Sequence, residues 1–141
     1  KIISVELTGK ENALYMSGEK LSLTIRIQSR KLVKHLQLRL ELRFADDLPV
    51  GTVPEIFLGT LSEGETGVFN LSMDTSLLTR GKYKVVLVTF EKDKSGNSID
   101  YDLVGPAFYF EIQDNEKIVW NTSAWGHIRL PDVIVNSKDM D

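Results

Sequence analysis

The chain alternates apolar and polar residues over most of its length, and the period is two. In the run 19–28, Leu21, Leu23, Ile25 and Ile27 alternate with Ser22, Thr24, Arg26 and Gln28. The run 35–44 repeats this, with Leu36, Leu38, Leu40, Leu42 and Phe44 against His35, Gln37, Arg39, Glu41 and Arg43. On a helix those leucines would wrap around every face, so the alternation predicts strands. Ile3, Val5 and Leu7 set a first strand in the same way, and Phe69, Leu71 and Met73 set another.

Between Gly81 and Ile112 lies the stretch that the others pack on. Lys82 to Phe90 is rich in β-branched and aromatic residues, with no internal Gly or Pro, which favours a strand. If Tyr83, Val85 and Leu87 face the core, then Val86, Val88 and Phe90 face away, so this strand is apolar on both sides and needs cover on both. Asp93-Lys94-Ser95-Gly96-Asn97 reads as a hairpin turn, a second strand follows, and Pro106 opens a third carrying Phe108, Phe110 and Ile112 on one face and Tyr109 on the other.

The connecting pieces are less regular. Residues 9–12 read as a polar turn, 45–54 as a loop with Pro49 and Pro54, 55–61 as a short strand, and 74–80 as one helical turn stopped by Gly81. A last strand is expected over 126–135, broken by Pro131, followed by a polar tail from Asn136 that frays. Closely spaced strands with almost no helix signal predict an all-β fold, an immunoglobulin-like or jelly-roll antiparallel β-sandwich.

With 141 residues the chain fits one domain, residues 1–141. It contains no Cys, which removes disulfides and thiolate metal sites. His35 and His127 are the only imidazoles and have no ligand partner at metal-binding spacing, so no metal and no cofactor are expected. The net charge of −3 gives no reason to expect nucleic acid. No apolar run approaches the roughly 20 residues that span a bilayer. A start at Lys1 rather than Met reads as a domain cut from a longer protein. No phosphate-binding Gly-x-x-x-x-Gly-Lys-Ser/Thr loop occurs, so ATP hydrolysis is not expected of the chain.

The order Asp74…Leu78…Gly81-Lys82-Tyr83-Lys84-Val85, an Asp/Gly turn, Tyr101-Asp102, Phe108-Tyr109-Phe110-Glu111-Ile112 and Gly126-His127-Ile128-Arg129-Leu130-Pro131 resembles the C-terminal domain of the ATPase subunit of O-antigen polysaccharide ABC transporters, the Wzt type. One departure is that Leu103 follows the Tyr-Asp pair where members often carry Arg. The resemblance implies a non-catalytic sandwich at the C-terminal end of a longer ABC transporter ATPase. Such a domain binds the finished, lipid-linked O-antigen polysaccharide for export. It implies a homodimer that exchanges the C-terminal strand, the transporter's nucleotide-binding and membrane subunits as partners, and a cytoplasmic location at the inner face of the bacterial inner membrane.

Sugar recognition takes aromatic faces for pyranose C–H surfaces, and Arg, Gln and Glu for hydroxyls. With the resemblance added, the outward residues of the alternating strands become the candidate carbohydrate-binding set: Gln37, Arg39, Glu41, Phe90, Tyr109, Trp125, His127 and Arg129. The plainer alternative makes Trp120 and Trp125 core or dimer anchors and the charged alternation a solvated face. The rival function is an immunoglobulin-like protein-interaction or adhesion module without a glycan ligand, since Trp, Tyr and Arg are also enriched at protein interfaces. A glycan-cleaving enzyme would need two placed carboxylates flanking a cleft, and the sequence does not place them.

Overall fold

In a computed structural model, which describes residues 1–9 and 12–138, eight strands form two sheets: β1 (Ile2–Thr8), β2 (Leu14–Met16), β3 (Lys20–Gln28), β4 (Val33–Phe44), β5 (Pro49–Leu61), β6 (Thr66–Asp74), β7 (Gly81–Lys92) and β8 (Ser98–Gln113). One short helix, α1 (Thr122–Trp125), follows. One sheet runs β1-β3-β6 and the other β2-β8-β7-β4-β5. The ladders are antiparallel except that of β2 with β8. The inward alternation of β3 (Leu21, Leu23, Ile25, Ile27) meets that of β4 (Leu36, Leu38, Leu40, Leu42) and of β7 (Tyr83, Val85, Leu87) in one buried core. This is the predicted β-sandwich, with the two-residue period deciding which side chains are sealed.

Four local expectations are corrected. The expected loop over 45–54 is a tight turn followed by a thirteen-residue strand. The Phe44 N–H donates to the Leu48 carbonyl (2.9 Å) and the Asp47 N–H to that of Phe44 (2.9 Å). β5 tolerates its prolines because it is an edge strand, and Pro54 falls where the register with β4 slips between Leu38 and Leu40. The break expected at Pro106 is a bulge inside one continuous strand: Val85 pairs with Phe108 and Leu87 with Val104, so three residues of β8 oppose Val86 alone. A proline fits there because a bulge needs no ladder N–H from it.

Residues 74–80 form turns rather than a helical turn. The Thr75 hydroxyl donates to the Glu19 carbonyl (2.7 Å), and Leu78 forms an isolated bridge with Ile128. These tertiary ties hold the segment in turns, where the Leu78 N–H donates to the Thr75 carbonyl (3.0 Å). Finally, the strand expected over 126–135 does not form among the described residues. Trp125 ends α1, and the chain beyond runs on without a ladder apart from the Ile128 bridge. Residues 10–11 of the expected first turn and 139–141 of the tail lie outside the described residues.

Candidate functional site

The outer face of the five-stranded sheet collects most of the predicted side chains. Cross-strand register places Gln37 beside Phe90, Arg39 beside Val88, Glu41 beside Val86 and Arg43 beside Lys84, and Lys84 in turn beside Tyr109. Because side chains two apart share a face, these rows make one surface crossing β4, β7 and β8.

On β4, the Arg39 Nε donates to Glu41 Oε2 at 3.0 Å, and an Arg43 terminal nitrogen approaches Glu41 Oε1 at 3.5 Å. Glu41 thus orients two guanidinium groups along the strand. The Arg39 guanidinium carbon lies 5.9 Å from the centre of the Phe90 ring, a cation–π arrangement. Phe90 itself is only 1% exposed. It forms the apolar floor under Arg39, with Val86 and Val88 buried beside it. The cover that the two-faced strand demanded therefore comes in part from the long charged side chains of β4. Lys92 of β7 pairs with Glu55 of β5, and since β4 lies between those strands the pair spans its outer surface.

Tyr109 is 59% exposed on the same face. It sits in an open groove of about 660 Å³ lined by Ala13, Leu14, Lys82, Lys84, Tyr109 and Glu111, among others. Register fixes this arrangement: Lys82 pairs with Glu111, which pairs with Leu14 on the other side. One wall is tied by the Lys84 ammonium, which donates to Asp47 Oδ1 at 2.6 Å. That hydrogen bond, with the charge of Lys84, holds the Asp47 carboxyl below its ordinary range. A flat ring between ammonium and carboxylate groups can stack on an apolar ligand face and bond to hydroxyls at its rim.

Trp125, His127 and Arg129 are not on this face. They belong to the C-terminal segment, which closes the end of the sandwich beside the turn between β6 and β7. The Thr79 N–H donates to the His127 carbonyl (3.1 Å) and the Arg129 N–H to that of Leu77 (2.7 Å). The His127 ring stacks on Phe44, with centroids 4.0 Å apart and planes 21° apart. Arg129 pairs with Glu116. Trp120 packs edge-on against Trp125 at 5.3 Å and donates its indole N–H to the Gly126 carbonyl (2.7 Å). Trp125 is still 53% exposed. None of these residues lines the Tyr109 groove.

Sequence reasoning missed Lys82, Lys84 and Phe57. The lysines share the outward phase of Val86, Val88 and Phe90, so that alternation already contained them. Phe57, exposed and paired with Gln37, was hidden because the full length of β5 was not read.

Fold and surface together define an all-β sandwich that displays a mixed aromatic and polar sheet face. Among solved structures the chain is similar to the C-terminal domain of Wzt, with a TM-score of 0.71 and 13% identity over 97% of this chain and 83% of that one. It therefore has a Wzt C-terminal-domain-like fold. Partial likenesses extend to the sporulation control protein Spo0M of Bacillus subtilis (TM-score 0.42, 20% identity, 78% and 49% of the two chains). They also extend to a β-glucosidase from Listeria innocua in complex with glucose (TM-score 0.44, 17% identity, 77% and 16%). No family model matches the chain, and no curated protein matches it. Among the described residues, no helix is long and apolar enough to cross a membrane.

Proposed function

We propose that this chain is a single carbohydrate-binding domain that holds O-antigen polysaccharide without catalysis and recruits it to an ABC transporter for export. The observation that carries the reading is the open groove around the exposed Tyr109 ring, on the same sheet face as the Arg39–Glu41–Arg43 ladder. A Wzt-like fold supports it. An extended polymer lies along such a face, with sugar C–H surfaces on Tyr109 and hydroxyls on Gln37, Arg39, Glu41 and the groove lysines. Phe90 acts from beneath, by fixing Arg39. Trp125 offers a separate contact at the end of the sandwich, positioned by its edge-on packing against Trp120.

In the same reading the domain is the C-terminal part of a longer transporter ATPase. It works at the cytoplasmic face of the inner membrane beside the nucleotide-binding and membrane subunits. It also dimerises through its C-terminal segment, which takes up strand pairing only with a second copy: Val133 is 92% exposed, with Leu130, Ile134 and Val135 exposed beside it. Apolar residues in such an exposed run gain from pairing with a second copy.

Calorimetric titration with the host's own O-polysaccharide tests the function. Saturable binding that weakens in Arg39→Ala is expected. Absence of binding to that polymer and to a glycan array, together with a tight protein partner, would favour the adhesion-module reading instead.

A further inference from the structure

A second exposed ring stands on the outer face of the five-stranded sheet, at the edge opposite β2. Ile56 and Leu58 of β5 pack on the core, so Phe57 between them points outward, and it is 68% exposed. Register sets Gln37 directly across from it, which puts their Cβ atoms about 5 Å apart. Among the described residues the Gln37 side chain makes no hydrogen bond, so its amide donors and carbonyl oxygen are open to a ligand.

The surroundings of the ring are polar but leave it bare. Glu55, two residues before Phe57, carries the ion pair with Lys92 that crosses the outer surface of β4. Gly59, two residues after it, sits against the ring edge, where a Cβ would stand 4.0 Å from Cε1, and adds no side chain to cover the ring. An open aromatic face with an amide across from it and a charged pair beside it is the combination already found around Tyr109.

Register also fixes how far apart the two rings stand. Tyr109 lies across Lys84 from Arg43, and Phe57 lies across from Gln37. Arg43 and Gln37 are six residues apart on β4, about 20 Å, and β8 and β5 are three strand spacings apart, about 14 Å. The rings are therefore about 25 Å apart, on a diagonal that passes over Arg39 and beside Glu41.

We propose that Phe57 is a second sugar-stacking platform, with Gln37 bonding to the hydroxyls of the sugar upon it, and that one glycan chain slants across β8, β7, β4 and β5 to reach both rings. This rests on the polysaccharide reading of the face and adds to it a direction and a minimum ligand length. A pyranose built of bonds of about 1.5 Å adds about 5 Å to a chain, so about five or six sugars reach from one ring to the other.

Fragments of the host's O-polysaccharide, graded from about two to about eight sugars and titrated calorimetrically into the whole chain, test the span. Affinity is expected to step up about tenfold or more between about three and about six sugars, where the second ring is reached. Phe57→Ala is expected to abolish the step, weakening long fragments about tenfold and leaving the shortest within about twofold. Phe57→Tyr keeps the ring and is expected to keep the step, with circular dichroism showing that both variants fold. If the polymer binds the parent and weakens in Arg39→Ala, yet binds Phe57→Ala unchanged, the second platform is overturned and the polysaccharide face stands. Polymer binding with no step over this range of lengths overturns the span in the same way. No binding of the polymer or of any fragment by the parent overturns both.

Discussion

Replacing Tyr109 by alanine removes the one large ring that the groove exposes. The ring is 59% exposed in the free protein. For a tyrosine presenting roughly 200 Å², the exposed part is about 120 Å², of which a sugar resting on one ring face covers about 60 Å². At about 25 cal/mol per Å², losing that contact costs about 1.5 kcal/mol, or roughly tenfold in Kd. Calorimetry with soluble O-polysaccharide reads the change directly, and circular dichroism confirms that the exposed substitution leaves the fold intact. Tyr109→Phe keeps the ring and loses only the phenolic hydroxyl, so it is expected to stay within about threefold of the parent. If Tyr109→Ala binds as tightly as the parent, the ring is not a stacking platform and the groove reading fails.

Other consequences follow from the packing. Gly81 has φ +147°, and a Cβ there would stand 2.6 Å from the Phe44 ring that stacks on His127. Gly81→Ala is expected to cost about 2–5 kcal/mol from backbone strain and a displaced ring, lowering Tm by about 10 °C in a thermal melt; an unchanged melt would remove Phe44 from the account of that end. Tyr83 is buried, and its hydroxyl donates to the Thr79 carbonyl at 2.6 Å. Burial holds the phenol above its ordinary value of 10.0. Its neutral form is thus favoured on folding, and this contribution is complete below pH 10 and is lost as pH climbs through the raised value. Alkaline unfolding is expected to be shallower in Tyr83→Phe, which gives up about 1 kcal/mol at neutral pH. For the proposed dimer, light scattering is expected to give twice 15.9 kDa for the chain and a monomer after deletion of 131–138; equal masses would count against exchange.

How far the sequence reached depended on what kind of information each step needed. Period-two alternation identified β3, β4 and the paired faces of β7, because burial of one face is a local demand on the sequence. It even flagged that Val86, Val88 and Phe90 needed cover. It could not say that the cover would include Arg39, since that depends on which strand lies alongside. Pro49, Pro54 and Pro106 read as interruptions, yet each lies within a strand, because edge position and bulges are properties of the sheet and not of the segment. The alternation over 126–135 names the two faces a strand would have but supplies no long neighbour to pair with, and within one chain its pairing among the described residues stops at the single bridge of Ile128 with Leu78. The site was half legible for the same reason. Gln37, Arg39, Glu41 and Tyr109 share a face by phase and register, whereas Trp125, His127 and Arg129 share a phase but lie elsewhere.

The central claim is that the outer face of the five-stranded sheet holds the polysaccharide. Mapping NMR shifts of the chain saturated with its host's O-polysaccharide tests this most directly. The account predicts changes concentrated at Arg39, Arg43, Lys82, Lys84 and Tyr109. Changes confined to β1, β3 and β6, or none at saturating polymer, would contradict it.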